Sequence, residues 1–424
     1  MLPWSAERVA EAAGARLVAG SAAEGPARAV IDSRAVEAGD LFVGLRGAHV
    51  DGGHFAAQAL DAGAWGVLVA PEHTPDTGIV LTANDPLAAL QRLATAWRRA
   101  LACPVIGVTG SVGKTSTKDL LAAMLRQQRR VVANERNLNT EIGLPLTILG
   151  AAAGTEVLVL EMGMRGKGQI AELVRVAEPV VGVITALGPV HLEQMGSMEA
   201  IAAEKAALVA GLPAGGTAVV PAREPLLDRH RREDVETVTF GPGGDVDDDA
   251  LNGLDLRAGE QALTAAHLRR NACAALAAAR AVDVTPAGRV DVDLSELRGQ
   301  RIALPGDITI VNDCYNANPM SMRAALDDLA ATASGRRVAV LGDMRELGAQ
   351  EREHHEQIGR YARETGVDVL VAVGELSAAY AGDLHVATAA EAAAAVPDLL
   401  QPGDTVLVKA SRGVGLEVVA EALA

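Results

Sequence analysis

Short aliphatic runs alternate with Ala- and Leu-rich segments along most of this 424-residue chain, and that alternation restricts its fold more than any other feature. The runs Val105–Val108, Val157–Leu160, Val180–Ile184, Val338–Leu341, Val369–Val373 and Thr405–Val408 are each followed by Gly or a polar residue. A strand with one wet face alternates apolar and polar residues. An unbroken apolar run suits a strand covered on both faces, as in parallel sheets flanked by helices. The expected class is therefore α/β with mostly parallel sheets. Three Trp, three Tyr and three Phe are the only aromatic residues, so the cores must be filled by aliphatic side chains.

At about 150 residues per domain, the length suggests two or three domains. Residues 1–100 read as a separate binding domain, because Ile31-Asp32-Ser33-Arg34 and the glycine-containing run Leu41 to Gly47 interrupt the pattern. Residues 101–296 form the expected central domain; residues 297–424, after the polar stretch Asp291 to Glu296 and including a new strand Ile308–Val311, form the last. Lys plus Arg number 38 against 54 Asp plus Glu, a net charge of −16, which argues against a broad surface for nucleic acid or anionic lipid. The longest uncharged run, Ala206 to Ala222, has 17 residues but contains Pro213, Pro221 and three glycines, so no membrane insertion is expected. Glu7 and Arg8 stand where a signal peptide needs an apolar segment, and a cytoplasmic protein is expected. Cys103, Cys273 and Cys314 lie far apart without a Cys-x-x-Cys pair and read as reduced thiols.

The sharpest local signal runs from Pro104 through Val105-Ile106-Gly107-Val108-Thr109-Gly110-Ser111-Val112-Gly113-Lys114-Thr115, followed by Leu120, Leu121, Met124 and Leu125 at helical spacing. Strand, glycine loop and helix in this order make a phosphate cradle: loop N–H groups turn inward and the helix start adds partial positive charge. Lys114 would reach the β- and γ-phosphates and the Thr115 hydroxyl would ligate magnesium. Val108 occupies the first glycine position of the usual loop, with Gly107 one residue early. No Asn in the chain is followed by Lys, so the Asn-Lys-x-Asp reader of guanine is absent.

Ligands gather at the carboxyl ends of strands in parallel sheets. Glu161 follows the run Val157–Leu160, and His191 comes soon after Val180–Ile184. A carboxylate and an imidazole beside Thr115 could hold one or two magnesium ions against ATP, although a Glu or His in isolation is more often structural. Lys205, in an expected helix from Met198 to Val209, reads by itself as a surface lysine.

Further segments join this core. They are Asn137-Leu138-Asn139-Thr140-Glu141-Ile142-Gly143-Leu144-Pro145, the stretch Ile184 to Glu193 with Gly196-Ser197 and Lys205, the block Asn312-Asp313-Cys314-Tyr315-Asn316-Ala317-Asn318-Pro319 with Ser321-Met322, and Leu341 to Gly348. With the Thr-Gly-Ser-x-Gly-Lys-Thr loop at Thr109 to Thr115, they resemble the Mur ligase family, ATP-dependent amide-forming enzymes of peptidoglycan precursor synthesis. The last two segments resemble the branch that adds D-alanyl-D-alanine to UDP-N-acetylmuramoyl-tripeptide. The Asp-Asn-Pro-Arg motif usual in the branch adding the third amino acid is absent. Thr140, Asn312 and Ala410 depart from the family's usual Asn, Asp and Gly.

The resemblance implies three domains: an N-terminal one for the UDP-sugar, a central ATPase and a Rossmann-like C-terminal domain that closes over both. It implies that Ser33 and Arg34 contact the UDP-sugar and that Thr109, Gly110, Ser111, Val112, Gly113, Lys114 and Thr115 hold ATP. Thr115, Glu161, His191 and a carbamylated Lys205 would bind Mg2+. His267 and Asn271 would lie beside adenine, with Asn271 the main contact. Arg301 and Asp313 would reach phosphate and ribose, and Asn316 and Asn318 the substrate. Lys409 and Ser411-Arg412 match the family's closing element. Lys114, His191, Lys205 and Arg301 are the expected catalytic groups, and the expected form is a monomer. Phe42, Phe55 and Tyr315, within or beside these motifs, are expected to serve binding. Alternative readings are another Mur or folylpolyglutamate-type ligase adding a single amino acid, and a P-loop switch protein.

Overall fold

The computed structural model describes residues 4–295 and 297–424; Met1 to Pro3 and Glu296, the expected end of the central domain, lie outside the described residues. The first sheet has strand order Arg16–Ala19, Val80–Thr82, Gly66–Val69, Leu41–Val43, Ala29–Val30, with only the Arg16 strand antiparallel to its neighbour. Phe42 lies fully buried in this sheet, so its ring packs the core and the expectation of a binding role fails. The helix Pro86–Leu101 joins this sheet to the next. Asp85 caps it by accepting from the Ala88 N–H, and Pro86 sits in the first turn, where no helical N–H is needed. Its buried Trp97 meets Trp4 edge-on at 5.0 Å and donates to the Ala151 carbonyl at 3.1 Å. Truncating so enclosed an aromatic costs about 3–5 kcal/mol.

The central sheet is parallel throughout, in the order Glu236–Phe240, Thr217–Pro221, Val181–Ile184, Val105–Thr109, Val157–Glu161, Val131–Ala133. Its four inner strands are buried throughout. Leu158 and Leu160 pack with Leu144, Ile170 and Leu208 on one side, while Val157 and Val159 pack with Leu120, Met124 and the Ala-rich helix Ala266–Arg280 on the other. Those two environments are why alternation is missing from the sequence. A smaller sheet, Gln261–Ala262, Leu254–Ala258 and Gly288–Asp291, flanks this domain.

The C-terminal sheet runs Gln300–Leu304, Ile308–Asn312, Thr405–Lys409, Arg337–Gly342, Val369–Val373, Leu384–Val386, parallel except for the opening hairpin. Register sets Glu161 beside Val108 and Lys409 beside Leu341. Carboxyl ends of the central and C-terminal sheets thus contribute to one shared cleft. Among the described residues no helix is long and apolar enough to cross a membrane.

Candidate active site

The phosphate loop leaves the strand Val105–Thr109 and enters the helix Lys114–Arg126 through two glycines that no other residue replaces without strain. Gly110 has φ +153° and a Cβ there would fall 1.9 Å from Thr185 Oγ1; Gly113 has φ +80° and its Cβ would fall 2.6 Å from Asn271 Oδ1. Thr185 holds the loop by donating to the Val112 carbonyl, and Ser111 Oγ both donates to Gly188 O and accepts from its N–H. Lys114 Nζ donates to Gly110 O at 2.9 Å. Desolvation lowers the Lys114 pKa, Glu161 opposes that shift, and the nearby Arg298 guanidinium adds to it.

Glu161 is held from several directions. Thr115 Oγ1 donates to Oε2 and Asn139 Nδ2 to Oε1, each at 2.8 Å, while the Asn134 side-chain amide bonds both the N–H and the C=O of Glu161. His191 lies on the loop after Val181–Ile184, in a left-handed backbone conformation with φ +52°. Its pKa is lowered, first by desolvation and also by Lys114 and Lys205, against the opposing pull of Glu346. Lys205 corrects the surface-lysine reading: it is 2% exposed on the helix Met198–Ala210. Burial, then Lys114, pushes its pKa well below the ordinary lysine value.

From the C-terminal side, Lys409 Nζ donates to Asp313 Oδ2 at 2.6 Å and to Asn316 O at 2.9 Å, fixing the Asn312 to Pro319 block. Asn318 Oδ1 caps the helix Pro319–Thr332 by accepting from the Ser321 N–H, which occupies part of its expected substrate-binding capacity. Tyr315 stacks beneath the Arg298 guanidinium at 3.9 Å.

A cavity of about 460 Å³ lies between these walls. It brings together Ser111, Val112, Gly113, Lys114, Glu161, His191, His267, Asn271, Asp313, Asn316 and Asn318. Buried Thr109 and Thr115 stand behind it: Thr109 Oγ1 donates to Met162 O, and Thr115 reaches the site through Glu161. Gly110 and Lys205 are likewise not among the lining residues. Neither is Arg301, which instead pairs with Asp328 at 2.8 Å and donates to Thr332 Oγ1. Ser33 and Arg34 lie in the N-terminal domain outside this cavity. Arg34 is mostly exposed and grips Asp32, whose pKa it helps lower to about 2.

Sequence reasoning missed Arg298, Tyr315 as its stacking partner, and Asn139. Arg298 lines the cavity with its Nε buried and without a hydrogen-bond partner among the described residues. The Asn-rich segment was the available signal for Asn139. No group of three or more His, Cys, Asp and Glu side chains converges as a ready metal centre among the described residues. The Thr115 hydroxyl and Glu161 carboxylate nonetheless suit Mg2+, which keeps several waters and takes one or two carboxylates together with phosphate oxygens.

Three family models match in succession: Mur ligase family, catalytic domain, over residues 28–100; Mur ligase middle domain over 108–279; and Mur ligase, glutamate ligase domain, over 297–412. The chain belongs to the Mur ligase family. This Mur ligase is 37% identical to the UDP-N-acetylmuramoyl-tripeptide–D-alanyl-D-alanine ligase of a Synechocystis species, covering 92% of this chain and 90% of that one. It is similar to the MurF crystal structure from Acinetobacter baumannii at TM-score 0.87 and 28% identity, covering 99% of this chain and 98% of the other. MurF from Thermotoga maritima, solved in complex with ADP, matches this Mur ligase at TM-score 0.82 and 30% identity, over 93% and 96% of the two chains.

Proposed function

We propose that this Mur ligase joins D-alanyl-D-alanine to the terminal carboxylate of UDP-N-acetylmuramoyl-tripeptide, with conversion of ATP to ADP and phosphate. The observation that carries this reading is the near full-length likeness to ligases of that name, combined with one cavity walled by both the phosphate loop and the Asn312 to Pro319 block. A carboxylate is a poor electrophile. Its oxygen would attack the γ-phosphorus as the bond to ADP breaks, giving an acyl phosphate; the dipeptide amine would then add to the carbonyl carbon, lose a proton and expel phosphate. Lys114 and the loop N–H groups hold and neutralise the phosphates, and Arg298 faces them from the C-terminal domain. Asn271, which lies against Gly113, is the proposed contact to the base. Closure of the two walls keeps water from the acyl phosphate.

Thr115 and Glu161, with His191, would hold Mg2+, which supplies positive charge to the triphosphate when bound. Lys205 suits carbamylation because carbon dioxide adds to a neutral amine, and burial favours that form. Lys205→Ala should lower turnover and a short carboxylic acid should restore part of it; wild-type turnover in the variant refutes the carbamate. Ser33 and Arg34 remain the proposed UDP-sugar contacts and Asp313 that toward ribose, whereas the phosphate role expected of Arg301 passes in this proposal to Arg298, which lines the cavity while Arg301 pairs with Asp328. One chain supplies both walls of the cavity, consistent with a monomer. A cytoplasmic location goes with this proposal, since ATP and nucleotide-sugar precursors would be its substrates.

Phosphate release from ATP, with magnesium and the UDP-sugar tripeptide, should depend on added D-alanyl-D-alanine. Release that responds instead to a single amino acid, or to neither substrate, overturns the assignment.

A further inference from the structure

We propose that Glu346 is a positioning residue for His191, delivered to it across the boundary between the C-terminal and central domains. The inference rests on reading His191 as a metal ligand. Glu346 Oε2 lies 2.5 Å from His191 Nδ1. That nitrogen is otherwise buried, with no well-aligned hydrogen bond among the described residues. Both residues are non-glycine positions in left-handed backbone conformation, φ +52° for His191 and φ +66° for Glu346. Strained backbone on both sides of one contact persists only where the surroundings enforce it, and such positions cluster at functional sites.

The segment carrying Glu346 is well anchored. The Met344 N–H donates to His355 Nε2 at 2.9 Å, the Arg345 N–H to Ser411 Oγ at 3.0 Å, and Asp343 Oδ1 accepts from the Ser377 N–H at 2.8 Å. Met344 and Leu347 are buried on either side. The domains also meet closely around the contact: a Cβ on Gly188 would fall 2.0 Å from Met320 Sδ, and one on Gly348 would fall 3.5 Å from the Glu193 Cα.

A neutral imidazole has one N–H and one lone pair, and the partner of one nitrogen decides which is which. A carboxylate at Nδ1 keeps the proton there and leaves the Nε2 lone pair for the cavity that His191 lines. Glu346 thus makes the coordinating form of a central-domain residue depend on docking of the C-terminal domain. The ligand set becomes complete only when the walls that enclose the acyl phosphate have met.

The test uses the full chain with 15N-labelled histidine, comparing wild type, Glu346→Ala and Glu346→Gln, with circular dichroism to verify folding. Ring 15N shifts, assigned through the signal lost in His191→Ala, should show the Nδ1–H tautomer in wild type and its loss in Glu346→Ala. Mn2+ affinity in the presence of a non-hydrolysable ATP analogue, read by electron paramagnetic resonance, should fall about 10- to 100-fold in Glu346→Ala. Glu346→Gln, which keeps a carbonyl acceptor, should fall between. An unchanged tautomer, or unchanged Mn2+ affinity, in folded Glu346→Ala overturns the proposal. Unchanged Mn2+ affinity in His191→Ala sinks the ligand reading beneath it, an outcome separable from the tautomer result.

Discussion

Replacing Gly113 by alanine tests the phosphate loop and the base contact together. The residue has φ +80°, and an L side chain held in left-handed backbone costs about 1–2 kcal/mol. The new Cβ would also lie 2.6 Å from Asn271 Oδ1 and 3.0 Å from Nδ2, so the amide must move away. Asn271 ends in a short flexible side chain, so most of the stability loss is backbone strain. At about 2–4 °C per kcal/mol for a unit of this size, the unfolding midpoint should drop by roughly 2–8 °C. Binding should suffer separately: a displaced Asn271 loses a hydrogen bond worth about 1 kcal/mol, and tilted loop N–H groups lose a comparable amount. Calorimetric titration with a non-hydrolysable ATP analogue should therefore show a Kd raised about tenfold or more. Gly110→Ala should be more severe, because its Cβ would fall 1.9 Å from the Thr185 hydroxyl that ties down the loop. Gly150→Ala, with nothing within 4 Å, is the control and should bind like wild type. Folded Gly113→Ala with wild-type affinity for the analogue would refute both the loop assignment and the placement of Asn271.

Two further substitutions separate chemistry from support. Arg298→Ala should lower turnover by about 10²-fold with little loss of stability, whereas Arg301→Ala should chiefly lose about 1–3 kcal/mol in urea unfolding because Asp328 loses its partner; the reverse pattern would return the phosphate role to Arg301. His355 is fully buried with its pKa depressed below 6.5, mainly by desolvation. The unfolded chain therefore binds the extra proton first, and stability should fall as pH drops below 6.5 toward the lower folded value. Protonated Nε2 would also face the Met344 N–H donor to donor. Thermal melts of His355→Gln should lack this acid-sensitive component, and an identical pH profile would refute it.

The buried strands were legible because two-sided burial writes itself as unbroken apolar runs, and the loop because Gly-Lys-Thr stands between such a run and a helical one. By pattern alone Lys205 reads as a surface residue, for a related reason. Its helix buries Ile201, Ala202, Ala206, Leu208 and Val209 and has no clear polar side, so no amphipathic pattern told whether the lysine faced solvent or core. Arg301 and Arg298 differ by position relative to a strand start. Arg301 stands inside Gln300–Leu304, where it meets the helix Pro319–Thr332 through Asp328 and Thr332; Arg298 precedes the strand, where period-two reasoning does not apply. The contact of Glu346 with His191 joins two domains, and no local signal connects residues so far apart in the chain.

The acidity of the chain bears on its cofactor. A net charge of −16 is unfavourable for a nucleotide triphosphate unless the site itself is locally positive. The lining of the cavity does not meet that need alone. Its cations Lys114, Arg165, Arg298 and Lys409 stand against the anions Glu141, Glu161, Asp313 and Asp328, so the formal charges cancel. Lys409 is already committed to Asp313, and desolvation weakens the hold of Lys114 on its proton. A triphosphate of about four negative charges brought to this cavity would remain largely uncompensated by protein, and each added carboxylate substrate would deepen the deficit. The divalent cation proposed at Thr115 and Glu161 would supply positive charge that the lining residues alone do not. On that proposal a net charge of −16 and a phosphate-binding cleft are compatible, because the compensating charge would arrive with the ligand and be confined to one cleft.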